Sequence, residues 1–117
     1  MADSAPSRGE LWWVDWSPGR GSEQTGRRPA LVVQTDVANH NPLYPNAIVV
    51  TVSTKGRKVP FHVPLAPAKE SGLSSASFAK YEQVLTISKQ RLELKLGRIS
   101  DHELAQVAAA LRLVLDL

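Results

Sequence analysis

The stretch GSEQTGRRPALVV, residues 21–33, sets an acid, an amide and two guanidinium groups (Glu23, Gln24, Arg27 and Arg28) at the mouth of a hydrophobic strand. Arginine grips phosphate through two parallel hydrogen bonds and stays charged at any working pH. A carboxylate beside it can take up a proton or hold the guanidinium in place. Ser53 and Thr54 bring hydroxyls to the end of a β-branched run, and Gln83, within YEQV, brings an amide able to read base edges. These groups suffice for phosphodiester cleavage in RNA, where the ribose 2′-OH is itself the nucleophile. The protein then has only to align the reactants, move protons and stabilise charge. A positioned proton-transfer group contributes roughly 10²–10⁴-fold, and one preorganised donor to the developing charge about 10²–10³-fold. The same residues also fit a capped, solvated loop with no catalytic role, which is the commoner use of such a segment.

Other chemistries find less support. His40, His62 and His102 lack metal-ligand spacing among themselves or with carboxylates. His62 alternates with apolar Phe61 and Val63, so it reads as a structural or interface residue, and His102 reads as an exposed residue at a helix start. There is no Walker A loop, no GxGxxG and no nucleophile elbow, and the chain contains no cysteine. Neither a metal nor a cofactor is expected.

The elements that must carry these groups belong to a chain of 117 residues, enough for one core. Residues 1–7 are small and polar and predict a flexible tail; residues 8–117 predict a single domain. No apolar signal segment and no membrane-length apolar run is visible, which points to a soluble, cytoplasmic protein. The net charge is +3, but Arg20, Glu23, Arg27 and Arg28 carry +2 and Lys55, Arg57 and Lys58 carry +3, leaving −2 on the rest. Basic loops on a near-neutral body fit a polyanion groove, with Lys55 and Arg57 as candidate phosphate contacts. They equally fit charge that serves solubility.

Alternating and β-branched runs predict strands at Gly9–Trp16, Pro29–Thr35, Asn46–Thr54, Phe61–Leu65 and Leu92–Ile99, with 75–88 forming two strands or one long bent one. Pro60 and Pro64 make the fourth strand an edge. Ser17–Gly26 is a ten-residue loop with three glycines, long enough to be functional or disordered. Pro29 biases Arg28 toward extended backbone, tethering it where loop meets strand. Trp12, Val14 and Trp16 share one strand face and Leu11, Trp13 and Asp15 the other, so the tryptophans read as core. Ser100 and Glu103 form a capping-box pattern ahead of Leu104, Val107, Ala108, Leu111, Val114 and Leu115, a helix from Asp101 to about Asp116. Short strands followed by a closing helix predict a small barrel or strongly bent sheet with the helix packed on it.

Across Arg8–Leu115, these blocks resemble the MazF/PemK family of toxins from bacterial toxin–antitoxin modules. The segments are RGELWWVDWSPGRGSEQTGRRPALVVQTD, the strand IVVTVST, the EQV at Glu82 and the tail RLELKLGRISDHELAQVAAALRLVL. The resemblance implies a mainly β fold with a C-terminal helix: a small SH3-like antiparallel barrel (CcdB/PemK-like) that pairs as a homodimer. It implies metal-independent, sequence-specific cleavage of single-stranded RNA, chiefly mRNA. It also implies a cognate MazE-like antitoxin whose acidic and hydrophobic tail occupies the RNA groove, with 17–26 as a mobile flap over it. The family's catalytic arginine falls on Arg28, and its hydroxyl residue, usually threonine, on Ser53, with Thr54 as substitute. Glu23 matches the loop glutamate, a base or an orienter of Arg28, and is flanked by Gln24 and Arg27. Glu82 and Gln83 match a pair near the groove. Leu85 stands where the family often has a basic residue, a departure that bears on a phosphate or antitoxin contact there.

Two other readings use the same architecture. Gyrase-poisoning relatives share the barrel and the dimer without being nucleases, but are not expected to carry the GSEQ…RRP loop. An inert SH3-like module would need an aromatic groove for proline-rich ligands. Here Trp12 and Trp13 are adjacent in a strand and face opposite ways.

Overall fold

The computed structural model describes residues 5–16, 26–55 and 62–117, with Glu82 in its backbone only. The expectations for 17–25, including Glu23 and Gln24, and for the 56–61 tip, including Arg57, lie outside the described residues. Six strands form one antiparallel sheet: β1 (Glu10–Asp15), β2 (Arg27–Val32), β3 (Asn46–Ser53), β4 (His62–Leu65), β5 (Ser77–Ser88) and β6 (Leu92–Arg98). Their order is β4-β5-β3-β2-β1-β6, so β4, with Pro64, is an edge as its prolines predict. A single turn, α1 (Asp36–Asn39), links β2 to β3, and α2 (Asp101–Leu115) closes the chain. The expected mainly antiparallel sheet with a C-terminal helix is what the chain forms. Among the described residues its ladders leave β4 and β6 at the ends of the sheet, an arrangement compatible with the expected barrel-like fold.

Strand alternation sorts the apolar side chains into two cores. Leu11, Leu31, Val50, Val52, Ala79 and Tyr81 face α2, which contributes Val107 and Ala110. Trp12, Val14, Trp16, Ala30, Val32 and Val49 fill the opposite side. Trp12 and Trp16 are buried as expected; Trp13, on the helix side, is only half-buried. Leu115, expected on the packed face of α2, is exposed, because the helix ends there at Asp116 in a left-handed conformation (φ 56°). The expected tail is held down at its end. Pro6 is buried, and the Ser7 hydroxyl lies 2.9 Å from the His40 ring.

The helix start is built as the Ser/Glu spacing predicts. The Glu103 amide donates to the Ser100 hydroxyl (3.1 Å), and the Glu103 carboxylate accepts from the Ser100 amide (2.9 Å). Its other oxygen accepts from the Ala66 amide at 2.9 Å, tying the β4–β5 connection to α2. Burial pushes the Glu103 carboxyl upward, but the Ala66 and Ser100 donors outweigh it and hold the group below its ordinary 4.5. The side chain of Asn39 and then the amide of Arg8 lower Asp36 from 3.8. Both folded-state values are depressed, so the stabilisation is complete above the unfolded values and is lost as pH falls through the folded ones. Thermal melts from pH 7 to pH 3 should therefore steepen in their decline below about pH 4.5. Glu103→Gln should lower Tm at pH 7 and flatten that decline; an unchanged acid limb in the variant would remove Glu103 from the account.

Candidate active site

β2 begins at Arg27, two residues earlier than its proline predicts, so both arginines lie within a strand rather than at a loop junction. Arg28 pairs with Val14 of β1 and Arg27 with Asp15. The loop between β1 and β2 is closed at its base by the Trp16 amide, which donates to the Gly26 carbonyl at 2.8 Å. Gly26 turns the chain there with φ 72°, a conformation that disfavours other residues. Alternation assigns the two side chains to opposite sides of β2, although both residues border the cavity at the strand ends. Arg27 lies over the Trp13 ring (5.4 Å to its centroid) and pairs with Glu93 at 2.8 Å. Arg28 shares its face with Val14 and Ala30.

β2 and β3 pair through Ala30↔Thr51, Leu31↔Val50 and Val32↔Val49. That ladder ends at Ala30↔Thr51, and Arg28 and Ser53 each lie two residues beyond it on their own strands. Ser53 is the last residue of β3 and pairs on its other side with Phe78 of β5. Its hydroxyl oxygen accepts from the Lys55 amide at 3.1 Å, a local turn bond that fixes the side chain and leaves its proton free to donate elsewhere. Thr54 follows in a bend beyond the strand and is exposed, as is Lys55.

A cavity of about 220 Å³ opens at these strand ends, and Arg27, Arg28, Ser53 and Thr54 all line it. Ser74, Ser75 and Ser77 add hydroxyls, and Leu73 and Leu96 form an apolar wall. That wall depends on a close approach of backbones. A Cβ on Gly97 would meet the Glu70 carbonyl oxygen at 2.3 Å, and one on Gly72, itself at φ 74°, would meet the Leu96 oxygen at 2.2 Å.

Residues 77–88 form one strand of twelve residues, broken by a bulge. Val50 pairs with Val84 and Thr51 with Lys80, so Tyr81, Glu82 and Gln83 stand against a single step of β3. Tyr81 is fully buried in the helix-side core, where burial raises its phenol far above the ordinary value. Gln83 turns back to Thr51, whose hydroxyl donates to its amide oxygen at 2.6 Å. Thr51, Lys80 and His62 form a row across β3, β5 and β4 beside Arg28 and Ser53. Neither Thr51 nor Lys80 stands out in the sequence, and His62, expected to be structural, lies in this row. Counting back two from Ser53 would have found Thr51; Lys80 requires the bulge.

A family model described as PemK-like, MazF-like toxin of type II toxin-antitoxin system matches residues 7–115. The chain belongs to this toxin family. Among curated family members, Endoribonuclease MazF9 of Mycobacterium tuberculosis is 43% identical over 114 residues, 94% of this chain and 96% of its own length. Endoribonuclease EndoA of Bacillus subtilis is 40% identical over 112 residues, covering 94% of each chain. The crystal structure of MazF from Deinococcus radiodurans superposes with a TM-score of 0.79 at 26% identity, covering 97% of this chain and 98% of that one. An endoribonuclease in complex with its cognate antitoxin, from a mycobacterial species, has the same fold, with a TM-score of 0.79 at 23% identity.

Proposed function

We propose that this chain is an endoribonuclease toxin that cleaves single-stranded RNA, chiefly mRNA, through attack by the 2′-OH. A cognate antitoxin restrains it, and it acts as a homodimer. The observation that supports the reading is that Arg28 and Ser53 line one cavity, in a family whose curated members at 40–43% identity are named endoribonucleases. The guanidinium spans two phosphate oxygens and meets the charge that grows as phosphorus becomes five-coordinate. The Ser53 proton, directed away from the Lys55 amide, adds a second donor to the same group. The 2′-oxygen bonds to phosphorus, the bond to the 5′-oxygen breaks, and the ends are a 2′,3′-cyclic phosphate and a 5′-OH. One proton leaves the 2′-OH and one arrives at the 5′-oxygen. Glu23 is the candidate to accept the first or to orient Arg28.

Arg27, engaged by Trp13 and Glu93, serves to shape the site's rim and attract phosphate rather than to catalyse. Lys55 and Arg57 extend that attraction, and Gln24, Thr54, Glu82 and Gln83 are the remaining candidate contacts to RNA. The test is to incubate the purified protein with a long transcript in EDTA. Discrete fragments are expected. Gyrase inhibition without cleavage would favour the gyrase-poison reading, and neither activity would favour an interaction module.

A further inference from the structure

We propose that Thr51 is a positioning residue that turns Gln83 into a hydrogen-bond donor, so that Gln83 selects a keto base, uracil or guanine, at one position of the RNA. The inference rests on the RNA-cleavage reading above and goes beyond it to substrate choice. A free glutamine amide is ambiguous, since its oxygen accepts, its nitrogen donates, and a half-turn exchanges them. Such a side chain can satisfy either the keto oxygen of uracil and guanine or the amino group of cytosine and adenine.

Thr51 removes the ambiguity. Its hydroxyl meets the Gln83 amide oxygen at 2.6 Å, inside the range of an O–H···O bond and shorter than an N–H···O bond normally becomes. Thr51 thereby takes one of the two lone pairs of the oxygen and fixes the orientation of the amide, so that the –NH₂ group is its main group left to meet a ligand. Thr51 cannot readily yield, because it is 2% exposed and held between Ala30 of β2 and Lys80 of β5. Gln83 cannot readily withdraw. Tyr81, two residues back, anchors the same bulge in the helix-side core, and Val84 resumes pairing with Val50 one residue on.

Facing the substituent at C4 of a pyrimidine or C6 of a purine, a donor fixed in this way bonds the keto oxygen of uracil or guanine and meets the amino group of cytosine or adenine donor to donor. Leaving a site's polar group unpaired is what makes such discrimination large. Single-stranded RNA displays these base edges freely. The bulge and the Ser53 strand end belong to the same pair of strands, so the base read by Gln83 lies close to the cleaved bond.

The experiment maps cleaved ends across a transcriptome for the wild type, Thr51→Val and Thr51→Ser, with circular dichroism to confirm folding. The wild type should show one position restricted to uracil or guanine. Thr51→Val keeps a side chain of similar shape but frees the amide to flip. It should admit cytosine or adenine at that position alone, with preference for the keto bases falling about 10-fold, in keeping with the discrimination carried by one well-placed contact. Thr51→Ser, which keeps the hydroxyl, should restore the restriction. A wild-type motif without a keto-restricted position, a Thr51→Val motif identical to it, or equal relaxation at every position would each overturn the inference.

NMR relaxation of the Gln83 side-chain amide, which needs no RNA, separates the two claims. It should be ordered in the wild type and Thr51→Ser and mobile in Thr51→Val; an equally ordered amide in all three would refute the clamp. If instead the wild type cuts no RNA while the amide behaves as expected, the nuclease reading fails and the Thr51–Gln83 clamp stands as structure without the proposed selectivity.

Discussion

Arg28→Ala should lower the rate of RNA cleavage by at least about 10²–10³-fold, the effect of removing one preorganised donor to the developing charge, while leaving the fold intact. The residue's backbone is secured by its pairing with Val14, and its exposed side chain fills neither core. Arg28→Lys should recover little, since a compact ammonium cannot reproduce the planar two-point grip on phosphate. Arg27 supplies the matched control one position away. Its guanidinium is occupied by the Trp13 ring and Glu93 on the opposite side of β2, so Arg27→Ala should weaken RNA binding modestly and leave kcat close to normal. Single-turnover cleavage of one defined oligonucleotide by the three variants, alongside circular dichroism, measures this. Comparable losses from both alanine substitutions would mean that the arginines act together as a charge patch, and the distinction drawn from strand alternation would fall.

That distinction shows what the sequence carries and what it leaves out. The capping box at Ser100 and Glu103 could be read directly because its bonds span three residues, and spacing alone specifies them. The edge position of β4 was equally local, since Pro64 cannot donate to a central ladder. The start of β2 was not. Arg27 and Arg28 look like loop residues, and only the partner strand, with Asp15 and Val14 opposite, draws them into the sheet. Once they are in a strand, their divergence follows. Trp13 was misjudged for the same reason: alternation assigns it to the helix-side face, but whether that face is covered at this point depends on Arg27 and Glu93, from distant strands. The bulge at Tyr81–Gln83 was least visible. A run of twelve strand residues shows no insertion until β3 is laid against it, and the insertion alone aims Gln83 at Thr51. The candidate residues Arg28, Ser53 and Gln83 were therefore legible as chemical types in a familiar pattern. Which groups hold them in place was legible only in three dimensions.

The ribose hydroxyl offers the test with the widest expected contrast. In the proposed reaction the attacking oxygen comes from the RNA, and Arg28 and Ser53 act on a phosphate that this oxygen must reach. Replacing the single nucleotide on the 5′ side of the cut by its 2′-deoxy form removes the nucleophile and changes nothing else of consequence. Cleavage should cease, whereas binding should weaken only slightly. Phosphate contacts by Arg27, Arg28 and Lys55 do not involve that hydroxyl, and counterion release, which supplies much of the affinity, is unchanged. The unmodified strand should yield a 2′,3′-cyclic phosphate and a 5′-OH, which mass spectrometry of the ends distinguishes from a 3′-OH and a 5′-phosphate. The deoxy strand then becomes a stable ligand, suited to measuring how Thr51 variants alter base preference without turnover. Cleavage of the deoxy strand at a comparable rate, or a 5′-phosphate on the product, would falsify the 2′-OH route. Either result would require a nucleophile supplied from outside the substrate, and Arg28 and Ser53 would then have to be understood as groups that bind the phosphate while another group activates the attack.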